Sequence, residues 1–254
     1  MLDLQASYQY GVAVMLVLAM VMFVVLFFIN APYGRYWRTN WGPGLNPRIG
    51  WVLMELPSVA LFAWVYLKGS GADRLMPLAL FGLWELHYVQ RTFVYSALIR
   101  PGSMPMSISI VLMGGIFNVA NASLNAIALT HLSPGYRDWW LIDPRFLFGS
   151  TGFLIGFVIN VYSDHILRNL RKPGETWYKI PYGGLFRWVT SPNYFGEIVE
   201  WCSWAVASWS LAGAAFAVFT FANLVPRAWA HHQWYYQNFP DYPKNRRAVI
   251  PGIL

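Results

Sequence analysis

The stretch "YGVAVMLVLAMVMFVVLFFI" (residues 10–29) decides the fold class, because it carries no charged residue over twenty positions. A helix of that length spans a hydrocarbon core of about 30 Å. No basic leader precedes the stretch, and no small-residue cleavage site follows it. We therefore expect a retained transmembrane helix here and not a secretory signal peptide.

Apolar segments of similar length recur along the whole chain. The sequence is 57% hydrophobic and only 11% charged, whereas about a quarter of the residues in a soluble domain are charged. Further apolar segments lie at roughly 50–67, 76–98, 107–130, 146–166, 195–210 and 211–230. The pattern predicts an all-α, polytopic integral membrane protein with seven transmembrane helices and a single membrane-embedded domain over residues 1–254.

The distribution of the basic residues predicts the orientation of the chain. Of the 18 lysines and arginines, twelve lie in the loops after spans 1, 3 and 5 and in the C-terminal tail. Only four lie in the N-terminal segment and in the loops after spans 2, 4 and 6. The positive-inside rule therefore puts the N-terminus outside and the C-terminus in the cytosol. Because topology accounts for the net charge of +7, we expect no nucleic-acid partner.

The cysteine content and the spacing of possible metal ligands give no evidence for a disulfide or a metal site. The single cysteine, Cys202, excludes an intramolecular disulfide, and the sequence has no metal-ligand spacing. We expect no bound metal, and no obligate protein partner is evident.

Ionisable residues inside the predicted spans are the main functional signal, since each costs several kcal/mol near the bilayer centre. They are Glu55, Glu85, His87, Arg91, Asp164, Glu197, Glu200, Arg227 and His231. Helical spacing places Asn193, Glu197 and Glu200 on one face of a helix. One alternative is that such residues only hold the bundle together through interhelical hydrogen bonds. The whole set, concentrated in the cytosolic halves of the spans, favours a binding site.

The predicted cytosolic loop at 160–193 is rich in arginine and glycine. Its "RKPGE" and "PYGGLFRW" segments suit phosphate binding, because Gly183 and Gly184 allow backbone amides to approach an anion closely. Neither a Walker nor a Rossmann pattern is present. We expect this loop and the tail at 231–251 to cap the cytosolic mouth of the bundle.

Five segments together resemble the steroid 5α-reductase family, in the same order along the chain. They are "MELPS" (54–58), "HYVQRTFVYS" (87–96), "NVYSDHILRNLRKPGE" (160–175), "IPYGGLFRWVTSPNYFGEIVEW" (180–201) and "RAWAHHQWYYQNFPDYPKNRRAVIP" (227–251). The resemblance implies a seven-helix enzyme that holds NADPH in a cytosol-facing cavity. It would transfer hydride to the 5 position of a 3-oxo-Δ4-steroid, which enters from the lipid, and so form a 5α-dihydrosteroid.

The resemblance also assigns roles to individual residues. Glu55 and Tyr88 match the pair that hydrogen-bonds the 3-oxo group of the substrate. Hydride addition builds negative charge on that oxygen, so donors aimed at it are required. Tyr88 offers a hydroxyl, and Glu55 can donate only in its protonated form, which burial in apolar surroundings favours.

The cofactor would be held mainly by residues 155–254. The positions that match the family's cofactor site are Asn160, Asp164, Arg168, Arg171, Tyr178, Asn193, Glu197, His231 and Tyr235. Four further residues are expected near the cavity: Tyr33, Arg91, Tyr95 and Arg227. Glu200 has two open interpretations, as part of the cofactor pocket or as a structural partner of Arg227 or of a neighbouring helix.

The chain departs from the animal members of the family after "FVYS". Residues 99–102 read Ile-Arg-Pro-Gly, where those enzymes carry an Asn-Arg-Gly-Arg run. The departure removes one expected phosphate-binding arginine and bears on the preference for NADPH over NADH.

Three other functions remain alternatives. Isoprenylcysteine methyltransferases, which bind S-adenosylmethionine, share a C-terminal pattern similar to "SPNYFGE" and "FPDYPKNRRAVIP", but lack "ELPS" and "HYVQRTFVY". Sterol reductases that act at the 14 or 7 position share the NADPH site but are usually longer. A non-enzymatic sterol-binding protein would need no nicotinamide pocket. The span pattern fits a bacterial inner membrane and an endoplasmic reticulum membrane equally well.

Overall fold

Long apolar helices make up most of the fold. The computed structural model describes residues 3–100, 104–132, 136–172, 175 and 177–254. Within those ranges the long helices are α1 (Leu4–Phe28), α2 (Pro47–Lys68), α3 (Leu75–Val89), α4 (Ile108–Thr130), α5 (Pro144–Asn169), α6 (Pro192–Ser208) and α7 (Leu211–Asn238). The chain of α3 continues as a π-helical segment, Gln90–Tyr95, and ends in the turn Ser96–Leu98. The all-α prediction is confirmed.

Five of these helices, α1, α2, α4, α5 and α7, are long and apolar enough to cross a membrane. The chain is therefore a multi-pass membrane protein. Helix α6 has 17 residues, fewer than the approximately 20 that a perpendicular span needs. Helix α3 has 15 residues, but the chain stays helical through the π-helical segment to Leu98. The seven predicted helices are present, and five of them meet the length and composition of a complete span as single α-helices. The orientation of the termini stays a prediction.

Short polar residues begin several helices. The Asn46 side chain accepts a hydrogen bond from the Arg48 amide at 2.9 Å, and Pro47 occupies the first helical position of α2. Asp143 caps α5 in the same way, with Pro144 next in the chain.

Helix α5 extends to Asn169, so the prediction that the cytosolic loop begins at residue 160 was wrong. The predicted span reached residue 166 and so already overlapped the predicted loop. Asn160, Asp164 and Arg168 form a polar face along the helix, and polar residues on one face do not end a helix. Pro101, Gly102, Pro173 and Gly174, which belong to the predicted phosphate and departure segments, lie outside the described residues.

Glycines bring α5 and α6 unusually close together. A Cβ atom on Gly156 would lie 2.6 Å from the Gly196 carbonyl oxygen, and one on Gly196 would lie 2.6 Å from the Asn160 amide nitrogen. Small residues allow backbones to approach in this way inside membranes. The contact holds the polar end of α5 directly beside the start of α6.

Aromatic side chains fill the middle of the bundle. The Trp84 ring stacks on Phe62 with centroids 4.3 Å apart, and its indole nitrogen donates to the Ser58 carbonyl oxygen at 2.8 Å. Trp201 and Trp204 pack against the same ring from α6. This aromatic core joins α2, α3 and α6, and so holds in place the three helices that surround the polar residues described below.

The C-terminal tail is joined to the segment before α6. The Arg247 amide donates to the Trp188 carbonyl oxygen, and the Thr190 amide donates to the Arg247 carbonyl oxygen, each at 2.8 Å. At another end of the fold, the short strand β1 (Gly44–Leu45) pairs antiparallel with β2 (Met106–Ser107). The loop and the tail are therefore in contact, whereas their capping of the cytosolic mouth of the bundle stays a prediction.

Substituting Gly156→Ala is expected to lower the thermal midpoint of the protein in detergent, because the new methyl group would meet backbone atoms of α6. Overpacking of this kind costs about 1–3 kcal/mol. Gly82→Ala is the matched control, since a Cβ atom there meets nothing within 4 Å. Equal midpoints for the two variants would contradict the close approach of α5 and α6.

Candidate active site

A buried arginine joins three helices at the centre of the candidate site. Arg91, in the π-helical segment, places one guanidinium nitrogen 3.0 Å from Asp164 Oδ2 on α5. Its other terminal nitrogen lies 3.2 Å from Glu197 Oε1 on α6. The three side chains are only 11%, 7% and 14% exposed. Two carboxylates so deep in an apolar bundle require this neutralisation.

Two amides complete the hydrogen bonding of these carboxylates. Asn160 donates to Glu197 Oε1 at 3.0 Å and to the Asn193 carbonyl oxygen at 3.1 Å. The Asn193 side chain donates to Asp164 Oδ1 at 3.1 Å. Four of the five predicted cofactor residues of α5 and α6, all except Arg168, therefore form one connected network with Arg91, which we call the Arg91 network.

Aromatic rings cover the guanidinium of Arg91. Its central carbon lies 4.3 Å from the Tyr95 ring centroid and 4.9 Å from that of Trp51. Such contacts stabilise a buried cation while leaving its N–H groups free for carboxylates. A π-helical segment is frequent at functional sites, because it re-aims side chains relative to a regular helix. Here it carries both Arg91 and Tyr95.

Glu55, on α2, and Tyr88, on α3, are near enough to the Arg91 network to interact electrostatically with it. Both are buried, and they interact electrostatically with each other and with Glu197. Glu55 Oε2 accepts a hydrogen bond from Asn118 at 3.0 Å. The structure therefore brings together the two predicted catalytic residues and adds Asn118, which sequence reasoning missed.

A second group of cations and rings contains predicted residues from the loop and from α7. The Arg35 guanidinium carbon lies 4.6 Å from the Tyr178 ring centroid, 4.3 Å from that of Trp234 and 5.0 Å from that of Tyr235. Arg171 lies 5.2 Å from the Tyr178 ring. Sequence reasoning missed Arg35, although its place in a loop rich in basic and aromatic residues was a usable signal.

A third group links α6, α7 and the loop after α1. Arg227 donates to the Tyr194 hydroxyl at 2.8 Å and lies 4.8 Å from the Tyr33 ring centroid. The His231 ring lies between Tyr194 and Tyr36, with centroid distances of 5.6 and 5.8 Å. Tyr194 also interacts electrostatically with Arg91 and Arg35, so the three groups adjoin.

The loop residue Tyr36 helps to close this region. Burial raises the pKa of the Tyr36 phenol, which lies outside the membrane-spanning helices. The hydroxyl therefore stays protonated and donates to the Ala230 carbonyl oxygen at 3.1 Å.

Glu200 does not share the environment of Asn193 and Glu197. Its Oε1 atom lies 2.8 Å from His87 Nδ1 on α3, and the side chain is fully buried. Of the open interpretations, pairing with a neighbouring helix is the one that the structure contains. Arg227, the other suggested partner, contacts tyrosines instead.

Buried donors mark the place where an anion would fit. Among the described arginines, Arg35 and Arg168 each have a buried Nη1 without a hydrogen-bond acceptor, and Arg246, in the C-terminal tail, has a buried Nε and Nη1 of the same kind. Arg168 interacts electrostatically with Tyr95, which borders the Arg91 network. Unmatched buried guanidinium groups are costly, and the oxygens of a phosphate would satisfy them.

Gly183 and Gly184 lie in a different place from the predicted cofactor residues. Both have left-handed backbone conformations, with φ of +94° and +49°. They border an open groove of about 610 Å³ beside Tyr162 and Arg187. That groove is lined by none of the residues predicted to bind the cofactor. A phosphate-binding role for these glycines stays a prediction.

Comparison with known proteins identifies a consistent likeness. The model of the family described as 3-oxo-5-alpha-steroid 4-dehydrogenase matches residues 104–254. The chain is 48% identical to the 3-oxo-5-alpha-steroid 4-dehydrogenase 1 of Bos taurus, over 93% of both proteins. It is 47% identical to the protein of that name from Homo sapiens, over 89% of this chain and 87% of the human one. The steroid 5-alpha-reductase DET2 of Gossypium hirsutum is 38% identical over 98% of each protein.

Replacing Arg91 should destabilise the protein more than replacing any exposed arginine. Arg91→Met leaves two buried carboxylates without their cation, which costs about 3–5 kcal/mol. Arg145→Met is the control, since Arg145 also pairs with a carboxylate, Asp143, but is 36% exposed. Equilibrium unfolding in mixed micelles would measure both. Arg91→Lys should recover part of the loss, and similar unfolding free energies for Arg91→Met and Arg145→Met would contradict the network.

Proposed function

The chain belongs to the 3-oxo-5-alpha-steroid 4-dehydrogenase family, and we propose that it reduces the Δ4 double bond of 3-oxo-Δ4-steroids to give 5α-dihydrosteroids. It is an oxidoreductase that acts on CH–CH bonds. Family membership implies a nicotinamide cofactor, and we propose NADPH. The observation that carries the proposal is that the buried residues Glu55 and Tyr88 interact electrostatically with each other and with Glu197 of the Arg91 network.

The residues of the site fit a nicotinamide adenine dinucleotide phosphate such as NADPH. The unmatched donors of Arg35 and Arg168 suit its phosphates, and the rings around Arg35 offer faces for an aromatic base. Asn193 and Glu197 offer an amide and a carboxylate for the carboxamide and ribose hydroxyls. When bound, NADPH supplies the hydride that adds to C5 of the steroid. Residues 155–254 provide most of these groups.

Glu55 and Tyr88 would stabilise the charge that develops on the substrate. Reduction of the enone moves electrons onto the 3-oxo oxygen, and two donors aimed at that oxygen lower the barrier. Tyr88 donates its hydroxyl proton, and Glu55 donates as a neutral acid. Both lie in a dry, apolar part of the bundle, where such hydrogen bonds are stronger than in water.

The path of the two substrates follows from the surroundings of the site. The steroid would enter laterally from the lipid, because the residues around Glu55 and Tyr88 belong to apolar helices. The cofactor would enter through the arginine-rich end, which the positive-inside rule assigns to the cytosol. A bacterial inner membrane and an endoplasmic reticulum membrane both allow this arrangement.

A product assay tests the proposed function directly. Protein purified in detergent would be incubated with progesterone or testosterone and NADPH, and the products would be analysed by mass spectrometry. A product two mass units heavier, with the retention time of the 5α-dihydrosteroid, is expected. No reduced product, together with binding of S-adenosylmethionine, would favour the methyltransferase alternative.

Glu55→Gln should reduce turnover by about 100-fold or more, the loss typical of a donor to a developing oxyanion. The affinity for NADPH should stay nearly unchanged, because Glu55 faces the steroid end of the site. Asp73→Asn, an exposed carboxylate in the loop after α2, is the control for both measurements. Loss of NADPH binding in Glu55→Gln would show that the role assigned to this residue is wrong.

Asn193→Ala and Tyr235→Ala should weaken NADPH binding by about tenfold, which corresponds to about one hydrogen bond or ring contact. Asn169→Ala and Tyr236→Ala are controls of the same residue types with exposed side chains. Calorimetric titration with NADPH would give the dissociation constants, and thermal midpoints would show whether folding is intact. Unchanged affinity in both site variants would contradict the proposed cofactor pocket.

A further inference from the structure

Three asparagines line one face of α4 inside the membrane bundle. Asn118, Asn121 and Asn125 are 5%, 0% and 1% exposed. Their spacing of three and four residues puts them on the same side of the helix. Buried amides in an apolar helix are costly unless they are hydrogen-bonded. Neither the sequence motifs nor the comparisons give these residues a role.

The amide of Asn118 is held in one orientation. Its nitrogen lies 3.0 Å from Glu55 Oε2 and 2.8 Å from the Met54 carbonyl oxygen. The amide O and N atoms of an asparagine can be exchanged by rotation, and neighbouring groups decide between them. A backbone carbonyl only accepts hydrogen bonds. The atom that faces both acceptors must therefore be the nitrogen, and its two protons are both used.

This orientation favours one oxygen of Glu55 as the one that carries the proton. An amide N–H group cannot accept a hydrogen bond, so Glu55 Oε2 must be the acceptor. In a neutral Glu55 the carbonyl oxygen is a much stronger acceptor than the hydroxyl oxygen, so this contact favours Oε2 as the carbonyl oxygen and Oε1 as the oxygen that carries the proton. The Met54 carbonyl, one residue before Glu55, anchors the amide to the same turn of α2, so the pair moves as one unit.

We propose that Asn118 is a positioning residue that presents the Oε1 hydroxyl of Glu55 to the 3-oxo oxygen of the steroid, an inference that rests on the proposed function. Asn118 occupies the acceptor oxygen Oε2, which leaves Oε1 as the oxygen that can donate to the steroid. Asn118 itself touches neither substrate nor cofactor in this assignment. It acts through Glu55 by fixing the rotamer and the protonated oxygen of the acid.

The neighbouring asparagines separate this role from simple bundle stabilisation. Asn125 donates to the Asn121 side-chain oxygen at 2.9 Å and accepts from the Trp204 indole nitrogen at 2.9 Å. Its contacts are with α4 itself and with α6, and Glu55 is not among them. Asn125 is thus a control of the same residue type, helix and burial as Asn118.

A double-mutant cycle tests the coupling of Asn118 to Glu55. Asn118→Leu should lower kcat by about tenfold, the equivalent of one lost hydrogen bond, with KM for NADPH unchanged. In the Glu55→Gln background the same substitution should cause no further loss. Asn125→Leu should have the same effect on kcat in both backgrounds. Independent losses for Asn118→Leu and Glu55→Gln would overturn the proposal.

An infrared measurement gives a readout that does not depend on activity. The difference spectrum between the unaltered protein and Glu55→Gln should contain the C=O stretch of a neutral carboxylic acid. Asn118→Leu, or the smaller Asn118→Ala if the leucine does not fold, should shift that band to higher wavenumber, because the carbonyl oxygen loses its donor. An unshifted band, or a Glu55 signal of an ionised carboxylate, would overturn the proposal. Failure of steroid reduction by the unaltered protein would instead overturn the proposed function and leave the band assignment intact.

Discussion

The guanidinium of Arg91 is the interaction on which the site depends, because it neutralises carboxylates from two other helices inside an apolar bundle. Asp164 comes from α5 and Glu197 from α6. A buried carboxylate without a partner is so costly that none of the three charges is stable there alone. The ion pairs therefore fix the rotation of α3, α5 and α6 together, and the amides of Asn160 and Asn193 satisfy the remaining acceptor positions.

Two features of the backbone make this network possible. Gly156 and Gly196 let α5 and α6 approach until no Cβ atom fits between them, which places Asn160 against Glu197. The π-helical segment after α3 shifts the position of Arg91 relative to a regular helix. Because Tyr88 lies three residues before Arg91, the same helix carries a donor for the substrate and the cation for the cofactor side. The steroid end and the cofactor end are thus mechanically connected.

Much of this arrangement could be predicted from local sequence. The parts that could not be predicted depend on contacts between distant segments of the chain. The apolar runs predicted every long helix, and the i, i+4 spacing of Asn193 and Glu197 predicted a polar face. The loop before α6 was expected to begin too early, at residue 160, because the polar residues that start there lie on one face of α5 and do not end it. The partner of Glu200 could not be predicted, since His87 is 113 positions away and only the crossing of α3 and α6 brings the two together.

Two residues whose roles depend on tertiary contacts were not predicted from the sequence. Asn118 belongs to an apolar span with no recognisable motif, and only its distance to Glu55 distinguishes it from a structural amide. Arg35 is one of several loop arginines, and its three aromatic neighbours come from Tyr178 and from α7. In both cases the relevant quantity is a tertiary contact, which spacing along the chain does not encode.

Isotope transfer tests the central claim most directly. The unaltered protein would be given a 3-oxo-Δ4-steroid and NADPH that carries deuterium at both hydrogen positions of C4 of the nicotinamide, and the product would be examined by NMR. A site with Glu55 and Tyr88 at the 3-oxo oxygen and the cofactor beside the Arg91 network predicts one deuterium at C5, on the α face. Deuterium at another carbon, or a reduced product without deuterium, would contradict the account.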